Sequence, residues 1–183
     1  LSNIVFNLNG DLEIISGLIN GGTINIIGTN NQSIIPNLNG NINNLIVNKT
    51  SGVLSQSQVN NTSYSTRIAG DLMLFSNPSS VDSSISVRLM GGKTTTKVSW
   101  SSELGWLRIS KDDAANTVNF IGDVSISKTN MFLLQKGTIS KNRGVNFIAN
   151  DGVAGVATYY YKFTKTTNST GNDNTSDSDW QKQ

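Results

Sequence analysis

The chain of 183 residues contains no cysteine, no histidine and only two prolines. Without cysteine it has no disulfide, no thiolate zinc site and no thiol nucleophile. Without histidine it has neither Ser-His-Asp nor Cys-His catalytic machinery. Charged residues make up 14% of the chain and the net charge is +2, which is not the broad basic field of a nucleic-acid-binding protein. We therefore expect no enzyme, no cofactor, no metal site and no nucleic-acid partner.

The residues that are present favour strands. Asn, Ser and Thr together account for 66 of the 183 residues, as many as the hydrophobic residues, and this mixture disfavours helix at almost every position. Apolar residues do not recur at helical spacing over a dozen positions. No apolar run approaches the 18 or so residues that cross a bilayer, so we expect no membrane insertion. The composition predicts an all-β chain.

The composition changes near residue 65, which predicts two β regions and a tail. Residues 1–65 hold eleven isoleucines and two aromatic residues, whereas residues 66–165 hold ten aromatic residues and twelve of the fourteen bases. We therefore divide the chain into a repetitive β shaft (1–66), an all-β globular head (67–165) and a polar, mobile tail (166–183). Because the chain opens at Leu1, we expect a processed product or the distal piece of a longer protein.

The second region reads as about eight short strands joined by Gly and Asx turns. Gly91 and Gly92 predict a two-residue turn between strands at 85–89 and 93–100. Residues 145–148 and 156–164 are predicted to form a closing pair of strands. This pattern predicts a β-sandwich or a barrel.

The first region contains a repeated strand-turn unit. Gly10, Gly40 and Gly70 lie thirty residues apart, and each is followed by Asp or Asn and then by an aliphatic residue. Gly and Asx allow the positive φ angles of tight turns, and alternating aliphatic residues build one buried strand face. Such turns also recur in any Asn-rich β protein, but the spacing favours a fibrous or solenoidal repeat.

The repeated units resemble a known family. Residues 8–14, 68–74 and 121–126 resemble the aliphatic-x-Gly-Asp-aliphatic-x-aliphatic phrases in the shafts of bacteriophage tail fibres and other viral fibres. The phrase at 68–74 lies at the start of the predicted head, but the one at 121–126 lies well inside it, which departs from the family pattern. The resemblance implies a homotrimeric shaft and a head that binds a host-cell receptor, often a glycan. It also implies a place on the virion surface, attached to virion proteins upstream.

A strand segment of this length with two aromatic residues buries little as a single layer, and its exposed edges would aggregate. Threefold winding around sister chains solves both problems, although fivefold assembly is also open. The residues predicted to form this inter-chain core are Ile14, Ile24, Ile26, Ile42 and Leu45.

Two groups in the predicted head are candidate ligand sites. Trp100 and Trp106 flank a loop that could stack on sugar rings, with Glu103 accepting hydrogen bonds from hydroxyl groups; core packing is the alternative role for both indoles. Lys136, Lys141 and Arg143 form a candidate cationic loop for acidic glycans or phosphates, and a solvated loop is the alternative.

The carboxylates do not form a convincing catalytic pair. Asp112 and Asp113 are the one adjacent pair, and a turn between strands explains them. The leading hypothesis is thus a viral or phage fibre fragment with structural and host-attachment roles. The alternatives are a capsid or decoration protein with a jelly-roll body, and a cellular adhesin or carbohydrate-binding module.

Overall fold

The computed structural model describes residues 4–19, 21–57, 64–122, 124–126, 132–141, 145–149 and 157–161. This part of the chain contains strands and one short 3-10 turn at Pro78–Ser80. In chain order the strands are β1 (Val5–Leu8), β2 (Leu12–Glu13), β3 (Gly17–Leu18), β4 (Thr23–Ile26), β5 (Gln32–Ile35), β6 (Gly40–Asn41), β7 (Asn44–Val47), β8 (Leu54–Gln56), β9 (Thr66–Ile68), β10 (Leu72–Leu74), β11 (Ser86–Gly91), β12 (Thr95–Ser99), β13 (Glu103–Leu104), β14 (Trp106–Lys111), β15 (Thr117–Phe120), β16 (Val124–Ile126), β17 (Phe132–Lys136), β18 (Thr138–Lys141), β19 (Val145–Ala149) and β20 (Ala157–Tyr161).

These strands form a parallel β-solenoid. The largest sheet, here called face 1, has the order β1-β4-β7-β10-β12-β15-β18, and every pair in it is parallel. Between consecutive strands of face 1 the chain visits two further sheets, face 2 and then face 3, before it returns. Each circuit is one coil, and each coil stacks on the one before it.

Faces 2 and 3 continue along the stack through short bridges. Face 2 contains β2-β5-β8 and β13-β16-β19, and a parallel bridge from Leu54 to Val81 lies between the two groups. Face 3 contains β3-β6 and β9-β11-β14-β17, which a parallel bridge between Ile42 and Ile68 joins. Antiparallel pairing of β20 with β19 ends face 2, which confirms the predicted closing pair.

Alternation along each strand builds the interior. In β14, for example, Leu107 and Ile109 are buried, while Trp106, Arg108 and Ser110 lie on the outer side. Successive side chains of a strand point to opposite faces of the sheet. The aliphatic side chains of every coil therefore point inward, toward the axis of the solenoid. The buried residues form one cluster that runs from Ile14 to Ile126.

The predicted layout of a shaft and a separate head is not confirmed. Face 1 crosses the predicted boundary between residues 66 and 67 without interruption, because β10 pairs with β7 on one side and with β12 on the other. The described residues beyond 67 form further coils in place of a sandwich or barrel. Their parallel pairing also differs from the antiparallel sheets of a jelly roll. The predicted tail, 166–183, lies outside the described residues.

The predicted hairpin at Gly91 and Gly92 is wrong. β11 pairs with β9 and β14 on face 3, whereas β12 pairs with β10 and β15 on face 1. The two glycines instead form a corner of the solenoid. Gly91 adopts a φ of 80° there, and a β-carbon at this position would lie 3.1 Å from Ala69 Cβ in the preceding coil. Glycine suits a tight corner as well as it suits a hairpin turn.

The thirty-residue repeat is not the length of a coil. Gly40 pairs with Gly17, and the amide of Gly70 donates to the carbonyl of Asn43, so the three glycines do not stack on one another. The spacing between paired residues of face 1 ranges from 18, for Val5 and Thr23, to 27, for Leu45 and Leu72. The coils differ in length because their corners contain different numbers of residues. A search for a strict repeat therefore does not detect the coil.

The residues predicted to form an inter-chain core are enclosed by the chain itself. Ile14, Ile24, Ile26, Ile42 and Leu45 are at most 9% exposed and belong to the single interior cluster. Their burial therefore needs no sister chain. The prediction assigned the packing layers to separate protomers. In the structure, successive coils of one chain form these layers, because each coil covers the apolar face of the next.

Two lysines are buried at corners of the solenoid. Lys49 Nζ donates to the carbonyl oxygen of Asn30 at 2.8 Å and to Gln32 Oε1. Lys111 Nζ donates to the carbonyl oxygen of Met90 at 2.7 Å and to Thr96 Oγ1 at 2.9 Å. Burial lowers the pKa of both ammonium groups below the usual value of 10.5, because desolvation penalises the charged form.

Candidate anion-binding face

Three arginines stack in register on the outer side of face 3. Arg88 in β11 pairs with Arg67 in β9 and with Arg108 in β14. Their chain neighbours on both sides, such as Val87 and Leu89, are fully buried, so the alternation of the strand directs each arginine outward. Adjacent strands lie about 4.8 Å apart. We call Arg67, Arg88 and Arg108 the arginine ladder.

Neutral groups hold the ladder in place. Arg108 Nε donates to Gln135 Oε1 at 2.9 Å, and Arg88 Nη2 donates to Ser110 Oγ at 3.2 Å. Arg67 Nε lies 3.4 Å from Met90 Sδ, and its Nη1 donates to the carbonyl oxygen of Leu38. These contacts fix the side chains but bring no negative charge to them.

The ladder has no carboxylate partner in the part of the chain that the structure describes. The ion pair found there joins Lys93 Nζ to Asp71 Oδ1 at 2.7 Å, and Asp71 flanks face 1. The Nε atom of Arg88 is also buried and has no hydrogen-bond partner. That atom is enclosed and does not face a ligand at the surface. A guanidinium stays charged at neutral pH and presents five donors, and Ser110 occupies one of those of the half-buried Arg88, so its other terminal N–H groups are the donors that could bind an anion.

The electrostatic environment of Arg88 is unfavourable for its charge. Desolvation by burial lowers the pKa of Arg88, and the positive charges of Arg108 and Arg67 lower it further. Like charges placed directly opposite each other on neighbouring strands destabilise a sheet. The stack therefore costs stability in the free protein, and an anion bound across it would relieve that cost.

Polar and aromatic side chains flank the ladder on the same surface. On one side, Trp106 pairs with Ser86. On the other side, Ser110 pairs with Met90 in the preceding coil and with Lys136 in the following coil. Lys136 Nζ donates to the carbonyl oxygen of Asp112, which keeps a fourth positive charge at the edge of the ladder. Leu133 follows Arg108 in register and ends the stack of cations.

The structure separates the members of the first predicted ligand site. Trp100 is fully buried in the core, so it has no surface to offer a sugar ring. Glu103 lies half-buried on face 2, whereas Trp106 lies half-buried on face 3. A corner at Gly105 lies between them, and its amide donates to the carbonyl oxygen of Ile85 at 2.9 Å. Six residues are thus enough to carry the chain from the core around a corner onto another face.

The predicted cationic loop is also divided. Lys136 lies on β17 in face 3, beside the arginine ladder, while Lys141 ends β18 in face 1. Arg143 lies outside the described residues. Of the six predicted ligand residues, face 3 therefore brings together Trp106 and Lys136.

The arginine ladder was missed at the level of sequence because the wrong period was used. Arg67, Arg88 and Arg108 are 21 and 20 residues apart, close to the length of several coils but far from thirty. Each stands between two buried residues, as in Leu107-Arg108-Ile109. A search for a charged residue between two inward-facing ones, at a spacing near 21, would have found the stack.

Acidic residues in the described ranges do not gather into a metal-binding cluster. No group of three or more carboxylates with metal-binding geometry occurs there. Asp113 Oδ1 accepts a hydrogen bond from the amide of Ala115 at 2.9 Å, which agrees with the predicted turn. No helix in the same ranges is long and apolar enough to span a membrane.

Comparison with known proteins adds no family: no protein-family model, no curated protein and no solved structure matches the chain. The geometry of face 3 is therefore the basis for a function. Its outer surface offers stacked cations, hydroxyl groups and one indole, and these groups can bind an anion.

Proposed function

We propose that this chain is a structural attachment protein that binds an anionic surface polymer through the arginine ladder. The observation that carries the proposal is the register of Arg67, Arg88 and Arg108 on adjacent parallel strands without a carboxylate partner among the described residues. Arginine binds carboxylate, sulfate and phosphate groups through paired hydrogen bonds. A row of three such groups suits a ligand that carries repeated negative charges.

A purely structural role explains the ladder less well. The three like charges form two adjacent pairs, Arg67 with Arg88 and Arg88 with Arg108, and each pair is expected to cost about 0.2 to 1 kcal/mol relative to a neutral pair. The outer positions of face 1 show that the same fold accepts uncharged residues in register, because Thr95, Thr117 and Thr138 stack there. The fold itself thus does not require arginine at these positions.

The shape of the site favours a polymer over a small molecule. Face 3 is a sheet surface, whereas small-molecule sites are concave and enclose most of their ligand. An extended ligand on an open surface gains affinity from several weak contacts in series. The ladder supplies three such contacts at the spacing of the strands.

The setting that we propose is the surface of a virus or phage particle, where the chain would contact a host-cell receptor. This setting follows from the resemblance of the Gly-Asp phrases to viral fibre shafts. Homotrimeric assembly is part of the same proposal, and it would present three ladders to one receptor surface. Since the inward aliphatic residues are already buried, protomers would have to meet through outward-facing side chains. A cellular adhesin would use the same ligand chemistry in another setting.

The test compares immobilised dextran sulfate with uncharged dextran. We expect binding to the sulfated polymer alone, with an affinity that falls as salt rises, because salt screens exposed charges. The double variant Arg88→Gln with Arg108→Gln should weaken binding about tenfold or more, since two charge-assisted contacts are lost.

The matched control removes two positive charges from elsewhere. Lys93→Gln with Lys97→Gln changes the net charge by the same amount, and Lys97 is an exposed residue of face 1. This control should bind dextran sulfate as the wild type does. Equal losses in the two double variants would mean that net charge governs binding, and the proposal would then be abandoned.

A further inference from the structure

We infer that the ligand of the arginine ladder is an acidic polysaccharide that lies parallel to the solenoid axis, with one acidic group per coil and a sugar ring stacked on Trp106. This inference rests on the proposed function and specifies the direction and the chemistry of the ligand. It depends on two separate features of face 3: the in-register stacking of the arginines, and the position of the indole beside them.

The direction follows from the register. Arg67, Arg88 and Arg108 occupy equivalent positions on three successive strands, so the row they form runs across the strands and along the axis. The two outer arginines lie roughly 10 Å apart, which is two strand spacings. A ligand laid along one strand would meet a single arginine; on β14 it would meet Trp106, Arg108 and Ser110 in turn. Only an axial ligand reaches all three cations.

The sugar preference follows from Trp106. This side chain lies on the same side of β14 as Arg108, two residues away, which is roughly 7 Å along a strand. Its register partner in the preceding coil is Ser86, a small residue whose hydroxyl group donates to the carbonyl oxygen of Ser84 at 3.3 Å and can still accept a hydrogen bond from a sugar. An indole face packs against the apolar face of a pyranose ring, while neighbouring hydroxyl groups and guanidinium groups bind its polar edge.

A single-stranded nucleic acid fits the surface less well. Sites for single strands combine a positive groove with several aromatic residues, on which successive bases stack. On the described strands of face 3, Trp106 is the aromatic residue at an outward position, because Phe132 pairs with the buried Leu107 and packs against the core. The net charge of +2 is also small for such a partner.

The experiment measures binding of the whole chain to three probes: galacturonate oligomers of one to six units, inorganic polyphosphate of matched charge, and oligothymidylate of matched charge. Affinity for galacturonate should rise steeply up to the length that spans three coils, and then level off. Trp106→Ala should weaken the longer galacturonate oligomers by about tenfold and leave polyphosphate binding unchanged. Trp106→Phe should retain most of the affinity and keeps the test valid if the alanine variant does not fold.

Phe75→Ala is the matched control, because Phe75 is an aromatic residue that is 64% exposed near the end of β10 on face 1; it should bind all probes as the wild type does. Affinity that does not depend on galacturonate length, tighter binding of oligothymidylate, or equal losses of galacturonate and polyphosphate in the Trp106 variants would each overturn the inference. Failure of the proposed function looks different: the double variant of Arg88 and Arg108 would then bind every anionic probe normally, or no more weakly than the double variant of Lys93 and Lys97.

Discussion

Faces 1 and 3 have similar interiors but opposite outer surfaces. Both send aliphatic side chains to the axis, for example Leu45 and Leu72 from face 1 and Val87 and Leu89 from face 3. At the outer surface of face 1, Asp71 forms an ion pair with Lys93 and accepts a hydrogen bond from the amide of Lys97. On face 3, three arginines stack, and no carboxylate of the described ranges forms an ion pair with them.

The difference separates the demands of folding from those of binding. The inward residues are set by packing, because each coil must cover the next. The outward residues are free to vary, and a charge that is paired there needs no further explanation. A row of unpaired like charges in register does need one, since it destabilises the free protein. For this reason we assign function to face 3.

The largest expected effect tests the shared interior. Leu89→Ala behind the arginine ladder and Leu45→Ala behind face 1 should each lower the free energy of unfolding by about 2 to 5 kcal/mol, because both side chains are fully buried. Chemical denaturation would measure the two changes. A loss below about 1 kcal/mol at Leu89 alone would show that face 3 is not packed against the core as face 1 is.

A smaller effect concerns Lys111, whose Nζ connects β11 of face 3 with Thr96 of face 1. Desolvation by burial is the main cause that lowers the pKa of Lys111. The carboxylates of Asp112 and Asp71 raise this pKa, while the positive charge of Lys93 lowers it further. Between the lowered pKa and 10.5, the unfolded chain binds more protons than the folded one, so the free energy of unfolding should rise with pH in that window.

Lys111→Met should reduce this pH dependence, which urea denaturation at several pH values between neutrality and 10.5 would detect. Lys97→Met, an exposed substitution on face 1, is the control and should leave the slope unchanged. An identical slope in the wild type and the Lys111 variant would contradict the assigned cause.

The smallest effect concerns repulsion within the ladder. Salt should stabilise the wild type by screening its like charges, and the gain should shrink by about 0.2 to 1 kcal/mol in Arg88→Gln, which removes the central charge. Thermal unfolding at low and high sodium chloride would measure the difference. Lys97→Gln should keep the salt response of the wild type, since the register partner of Lys97 is the neutral Asn119 and its backbone amide donates to the carboxylate of Asp71.

Local patterns predicted the strands well and the pairing poorly. The residues around β11 and β19 were placed in strands because aliphatic residues alternate or cluster there. The predicted strand partners were wrong where the pairing depended on the type of turn. Gly91 and Gly92 fit a hairpin turn as well as a corner of the solenoid, and local sequence does not distinguish the two. For the candidate site, Trp106 and Lys136 were predicted as members of two different groups, whereas Arg67, Arg88 and Arg108 were not connected with each other.

The sequence by itself determined that the chain is all-β and which side chains of a strand share a face, because alternation is a property of one strand. Only the tertiary structure decided which strands are neighbours, since the spacing between paired residues of face 1 varies from 18 to 27 and loop closure tolerates such variation at little cost. That pairing encloses Ile26 within its own chain and places three arginines from distant positions in one row.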